Sequence, residues 1–214
     1  MTVANNRRSY HAPRRAEQAA VTRAAIISAA LDLFARHGYA ATTVAMIAAE
    51  ARVTPKSVYA LADKPTLLLL AVDRAIVGDD EPVALLDRPQ MRSALDAGTP
   101  AEMLQLAARE GAGVLLRLYP IYRAFEQAVA AEPALLEAWR DYQRRRHADT
   151  RTFVRALAGV GGLRPGLSVD RATDTLWALL GWHPVALLVE ERGYSHRQIT
   201  RWLEDAFVDL VAPR

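Results

Sequence analysis

Apolar residues in this chain recur at intervals of three and four rather than alternating, which predicts helices and no strands. Ile27, Leu31 and Phe34, with Ala24 and Ala30, form one face of a helix from about Ala16 to His37, which Gly38 ends. Val44, Ile47 and Ala48 make the stripe of a short second helix, with Thr42 or Thr43 as its cap. The pattern breaks at Ala51-Arg52-Val53, and Thr54-Pro55 restarts it, Thr54 as N-cap and Pro55 at the first helical position. In this third helix Val58 and Leu61 point one way, while Pro55, Lys56, Tyr59 and Ala60 point the other. A longer helix follows from Lys64 to about Val77, with Leu67, Leu68, Ala71 and Val72 apolar.

Residues 78 to 98 hold Gly78, Pro82, Pro89 and Gly98 and read as the loosest stretch. The carboxylates Asp79, Asp80 and Glu81 fit a solvated linker better than a cation site, because no further acids arrive at ligand spacing. Thr99-Pro100-Ala101-Glu102 is a capping box, opening a helix that runs through Leu118 and is expected to stop at Pro120. Tyr122, Phe125 and Val129 mark the next helix, and Glu132-Pro133 opens a long charged one reaching about Leu157. There Arg144-Arg145-Arg146 points to several sides, and Asp141 with Arg145 predicts a salt-bridged, solvated face. Gly159 to Gly166 is a loop without the spacing of a dinucleotide fingerprint. Ser168 caps a helix through Leu180 that His183-Pro184 should interrupt. Ser195 to Gln198 is a further capping box, opening a last helix with Ile199, Trp202, Leu203, Ala206, Phe207 and Leu210 on one broad face.

At 214 residues and 51% hydrophobic content the chain can bury a sizeable core, and with no cysteine it has neither a disulfide framework nor a thiolate metal site. Its longest apolar run, Leu67 to Val72, is far below the ~20 residues of a membrane span. Arg7-Arg8 is followed by polar and basic residues instead of an apolar core, so no export signal and a cytoplasmic setting are expected. The net charge of +3 is uneven: residues 1–64 carry nine Lys/Arg against four Asp/Glu, net +5, leaving 18 against 20 and net −2 in the remainder. A basic head on a mildly acidic body suits contact with nucleic acid at one end. Residues 1–16, with four arginines and no acid, read as a disordered basic arm able to reach phosphates, Arg14 among them.

A short helix with a small apolar back and a Lys/Tyr front buries little alone. Packed on its neighbours, with that front against something anionic, it has the geometry of a helix-turn-helix, whose second helix enters the major groove. The stretch resembles the DNA-binding signature of TetR-type transcriptional regulators through Thr42, Thr43, Ile47-Ala48-Ala49, Ala51-Arg52-Val53, Thr54, Tyr59 and Lys64. It departs from that signature in having Arg52 and Lys56 where glycine is common, no aromatic residue in Ala60-Leu61-Ala62, and a run to Lys64 one residue short. The expected DNA-facing set is Arg14, Thr42, Thr43, Arg52, Thr54, Pro55, Lys56, Ser57, Tyr59 and Lys64.

The resemblance implies an all-α protein in three parts: the arm at 1–16, a helix-turn-helix domain at 17–64, and a helical effector-binding and dimerisation domain at 65–214. On its own, the last helix either closes its domain or meets a second copy. The family implies the second, through Leu188, Ile199, Trp202, Leu203, Ala206, Phe207 and Leu210. Two recognition helices held about 34–36 Å apart would then read successive grooves of double-stranded DNA. The family also implies a small-molecule cavity beneath the connecting helix, for which Met103, Leu106, Tyr122, Phe125, Glu126, Trp139, Trp177, Trp182 and His183 are the candidates. A mixture of amphipathic side-chain tips and the break at Pro184 favours such a pocket. The expected protein is a homodimeric, effector-released repressor needing no cofactor or metal and touching no membrane. An all-helical enzyme fits less well: His11, His37, His147, His183 and His196 are scattered, with no metal pair or nucleophile grouping. A helical interaction protein without DNA binding is the other alternative.

Overall fold

The computed structural model describes residues 11–78 and 85–213, with side chains described from residue 16 onward. The expected arm therefore lies largely outside the described residues, as do the side chain of Arg14 and the linker residues 79–84. Among the described residues ten α-helices follow in order: α1 (His11–Ala41), α2 (Val44–Glu50), α3 (Pro55–Leu61), α4 (Lys64–Val77), α5 (Pro89–Leu95), α6 (Pro100–Ala131), α7 (Pro133–Gly159), α8 (Val169–Leu179), α9 (Trp182–Glu190) and α10 (His196–Val211). A single 3-10 turn at Leu85–Asp87 precedes α5. No strand occurs among the described residues, and the fold is all-α.

Two buried clusters organise the chain, and α6 belongs to both. Ile26, Ala30, Leu33 and Phe34 of α1 pack with Ile47, Val58, Leu67 and Leu68, and with Leu118, Ile121 and Phe125 from the later part of α6. Met103, Leu104, Ala108 and Leu115 from its earlier part pack with Phe153 and Leu157 of α7, Leu176 of α8 and Ile199, Leu203 and Phe207 of α10. The head thus shares its core with the body, and the expected boundary at 64/65 crosses continuous packing.

Several boundaries differ from the sequence reading, each for a local reason. α1 begins at His11, not near Ala16. Its Ala16–Ala41 segment has the length and mean hydropathy of a membrane span, which a search for unbroken apolar runs passes over. Here it is a packed core helix, with Ile26, Ile27, Leu33 and Phe34 buried and Arg23, Asp32 and Arg36 outward. Pro120 does not end a helix: α6 runs through it from Pro100 to Ala131. A mid-helix proline costs about 3 kcal/mol, and burial of Leu118, Ile121, Tyr122 and Phe125 on either side offsets it. The break before Pro184 falls at Leu180-Gly181, so Pro184 lies in the first turn of α9, where its missing N–H is harmless. Arg144 and Arg145 form the expected salt-bridged face with Glu137 and Asp141, but Arg146 turns inward.

Candidate nucleic-acid interface and body cavity

Local chemistry fixes the helix-turn-helix. The Oγ1 of Thr43 caps α2 by accepting the Met46 N–H at 3.2 Å. Thr42 is fully buried and donates back to the Gly38 carbonyl at 2.8 Å, tying the turn to the end of α1. Gly38 itself, at φ 77°, breaks the helical path where an added Cβ would lie 2.8 Å from Gln127 Oε1 of α6. α2 ends in a left-handed residue, with Arg52 N–H bonded to Ala49 O (3.1 Å) and Val53 N–H to Ala48 O (2.9 Å), a Schellman closure. Arg52 takes the glycine-favouring conformation at φ 55° with its side chain outward. The departure from the family pattern at this position is therefore strained but accommodated.

The Thr54 hydroxyl caps α3 by accepting the Ser57 N–H at 3.2 Å and lies 2.9 Å from the Ser57 hydroxyl. Val58 anchors the helix, fully buried, while Tyr59 on the next position is 64% exposed. Thr54, Pro55, Lys56 and Ala60 are exposed with it. Ala62 and Asp63 alone join α3 to α4: Ala62 is extended, and the Asp63 carboxylate caps α4 by accepting the Thr66 N–H at 2.9 Å. Hydrogen bonding from the Thr66 side chain first, and then from its backbone N–H, holds the carboxyl below the usual range. Thr42, fully buried with its hydroxyl on the Gly38 carbonyl, drops out of the expected DNA-facing set, and Lys64 differs from the rest of it as well. Its Nζ lies 4.2 Å over the Tyr39 ring, and burial lowers its pKa against the pull of Glu132. It thus faces the protein's own aromatic residue.

Beneath α4 the body holds a partly open cavity of about 740 Å³. Leu70, Asp73, Arg74 and Val77 form one face of α4 on its wall, and Tyr142, Arg145, Arg146, Asp149, Thr150 and Phe153 form one face of α7. Its site beneath the connecting helix is the expected one, but its lining is not. None of Met103, Leu106, Tyr122, Phe125, Glu126, Trp139, Trp177, Trp182 and His183 reaches it. Met103 is core, 1% exposed. Tyr122 stacks on Trp182 at 3.6 Å and meets the Trp139 edge at 5.0 Å, so these rings pack on each other and with Phe125. His183 is exposed beside Glu126 at 3.9 Å, and Trp177 lies under the Arg146 guanidinium. Leu106 is half-buried against the body cluster. Pro184, in the first turn of α9, frees no carbonyl toward the cavity, and the nearby Leu180 carbonyl at the end of α8 accepts from Arg146 Nη1 at 3.0 Å. The polar members of two apolar stripes carried the missed signal: Asp73 within the α4 run, and Asp149 four positions before Phe153.

The α10 stripe is corrected in the same way. Ile199, Leu203 and Phe207 are fully buried inside the chain against α6, so they are core and unavailable to a second copy. Trp202, Ala206 and Leu188 are half-buried, and Leu210 is exposed, as are Leu187 and Val208.

Residues 26–61 match the model for bacterial regulatory proteins of the tetR family. No curated protein is similar enough in sequence to match the chain. Solved structures agree over nearly its whole length. A candidate TetR-family transcriptional regulator from Mesorhizobium loti is 23% identical, with 91% of this chain and 98% of that one covered at a TM-score of 0.67. A candidate transcriptional regulator from Saccharomonospora viridis in complex with choline is 20% identical over 89% and 97%, at 0.69. The complex of SmeT, the repressor of a Stenotrophomonas maltophilia multidrug efflux pump, with triclosan is 20% identical over 89% and 91%, at 0.65. The chain thus matches the tetR family model across the helix-turn-helix, and its likeness to these regulators over the remainder is one of fold.

Proposed function

We propose that the protein is a ligand-responsive transcriptional repressor that binds a two-fold symmetric DNA site as a homodimer and is released by a small-molecule effector. The outward face of α3 carries this reading: Lys56 and Tyr59 stand exposed on a helix anchored from behind by fully buried Val58. Such a face can offer a cation and a hydroxyl to phosphates and base edges without disturbing the core. Arg52, Thr54 and Ser57 extend it along the turn. Lys64 is left to brace α4 on Tyr39, and Arg14 would contribute from α1.

The dimer is proposed through the outward flank of α9 and α10, namely Trp202, Leu210, Val208 and Leu187, with Leu188 and Ala206 at its margin. One copy of a seven-residue helix makes few contacts, and two at groove spacing supply the specificity. The cavity beneath α4 is the proposed effector site. Choline and triclosan in the two similar structures support a small-molecule role for a body of this fold. An effector acts only by binding one body shape better than another, which α4 would carry to the head. This is a binding protein working in the cytoplasm, not an enzyme. Genomic fragments retained by the purified protein and then sequenced test the reading: an enriched palindromic site is expected, and retention without sequence preference would overturn it.

A further inference from the structure

We propose that the cavity beneath α4 takes an amphipathic organic cation, an apolar body bearing a quaternary or protonated nitrogen, with Asp73 and Asp149 receiving the charge. This rests on the reading of that cavity as the effector site. Most of its wall is apolar, Leu70, Val77, Val114, Leu115 and Phe153 among it, and suits a hydrophobic body. The charged side chains decide the sign. Four arginines reach the wall against two aspartates, which at first sight favours an anion.

The arginines are already engaged, however. Arg146 donates to Gln143 Oε1, Trp177 O and Leu180 O and stacks on the Trp177 ring. Arg145 is paired with Asp141 at 3.0 Å, Arg74 is held by interactions of its own, and Arg23 reaches the wall from α1, apart from the α4 and α7 faces that carry the aspartates. Asp73 and Asp149 are different. Among the described residues neither carboxylate accepts a hydrogen bond or forms an ion pair. They come from two helices, α4 and α7, onto one cavity, with Tyr142 and Arg145 as shared neighbours. Asp73 keeps an exposed edge and Asp149 is half-buried; the apolar wall beside them raises the pKa of both, and the charge of Arg145 offsets this only in part. A ligand cation would supply the missing compensation, while a ligand anion would add repulsion beside two carboxylates.

The test uses tetraphenylphosphonium and tetraphenylborate, ions of one shape and opposite charge, titrated into the full chain by calorimetry without DNA. The phosphonium should bind at least about tenfold tighter than the borate. The Asp73→Asn/Asp149→Asn double variant should lose at least about tenfold in phosphonium affinity, the scale of removing a close charge partner, with no loss toward the borate. Circular dichroism and melting of the variant check that it folds, and the comparison of the two ions on the unaltered chain stands whatever the variant does. Equal or tighter binding of the borate, binding of neither ion, or undiminished phosphonium affinity in a folded double variant would overturn the proposal. Because no DNA is present, these outcomes are independent of the DNA-binding reading, whose failure would appear instead as lost retention of operator fragments.

Discussion

Arg117 of α6 and Ile76 of α4 are joined by a hydrogen bond from Nη2 to the Ile76 carbonyl at 3.1 Å, and the same guanidinium donates through Nε to Ala75 O at 3.1 Å. The last carbonyls of a helix lack partners within it and carry its negative end, so a cation there satisfies both needs. Ile76 also lines the cavity, which makes this contact the point where cavity, α4 and body meet.

Replacing Arg117 with methionine keeps the bulk and removes both bonds. A loss of about 2 kcal/mol is expected, which for a chain of this size lowers Tm by roughly 4–8 °C. Thermal denaturation followed by circular dichroism reads it. An unchanged Tm would mean that the end of α4 is held by other contacts.

Arg52→Gly should act in opposite directions on two measurements. Relief of the left-handed conformation at φ 55° should stabilise the chain by about 1 kcal/mol. Loss of the outward cation should weaken DNA binding and reduce the dependence of log K on log salt by about one. A fall in Tm would contradict the strain argument, and an unchanged salt slope would remove Arg52 from the interface.

The two flanks of α10 can be separated. Phe207→Ala should cost about 3–5 kcal/mol, because the side chain is fully buried in its own chain. Leu187→Asp with Val208→Asp should leave helix content close to unaltered while converting the proposed dimer to monomer in sedimentation velocity. A dimer that survives this change would place the interface elsewhere.

Alkaline titration tests the link between head and body. Burial first, then the charges of Glu132 and Asp63, push the Tyr39 hydroxyl up to about 12. A group with a raised folded pKa stabilises the fold fully below its unfolded value, and that contribution is lost as pH rises through the folded one. Stability should therefore fall between about pH 10 and pH 12. Lys64, whose pKa burial lowers, works the other way at pH values up to its ordinary 10.5, so the comparison is with Tyr39→Phe. The variant should show a smaller decline, and identical urea-denaturation profiles would contradict the assignment.

The sequence makes the helix-turn-helix legible because its determinants are local: Thr43 and Thr54 cap the helices they were expected to cap, and Val58 separates back from front. The place of the cavity beneath α4 was also legible. Its lining was not, since it depends on which face of α7 turns toward α4. Ring-bearing residues such as Tyr122, Trp139 and Trp182 drew attention to themselves and proved to pack on one another. Ile199, Leu203 and Phe207 show the same limit: periodicity marks a buried face, but it cannot say whether the cover is α6 or another copy. Pro120 misled because propensity yields to tertiary packing.

The outward display of α3 toward duplex DNA is tested most directly by fluorescence anisotropy on a retained genomic fragment across a salt series, with the unaltered chain, Lys56→Ala and Tyr59→Ala. Binding should weaken steeply with salt, Lys56→Ala should lower the slope by about one, and both variants should bind less tightly with melting curves unchanged. Affinity indifferent to salt and to both substitutions would contradict it.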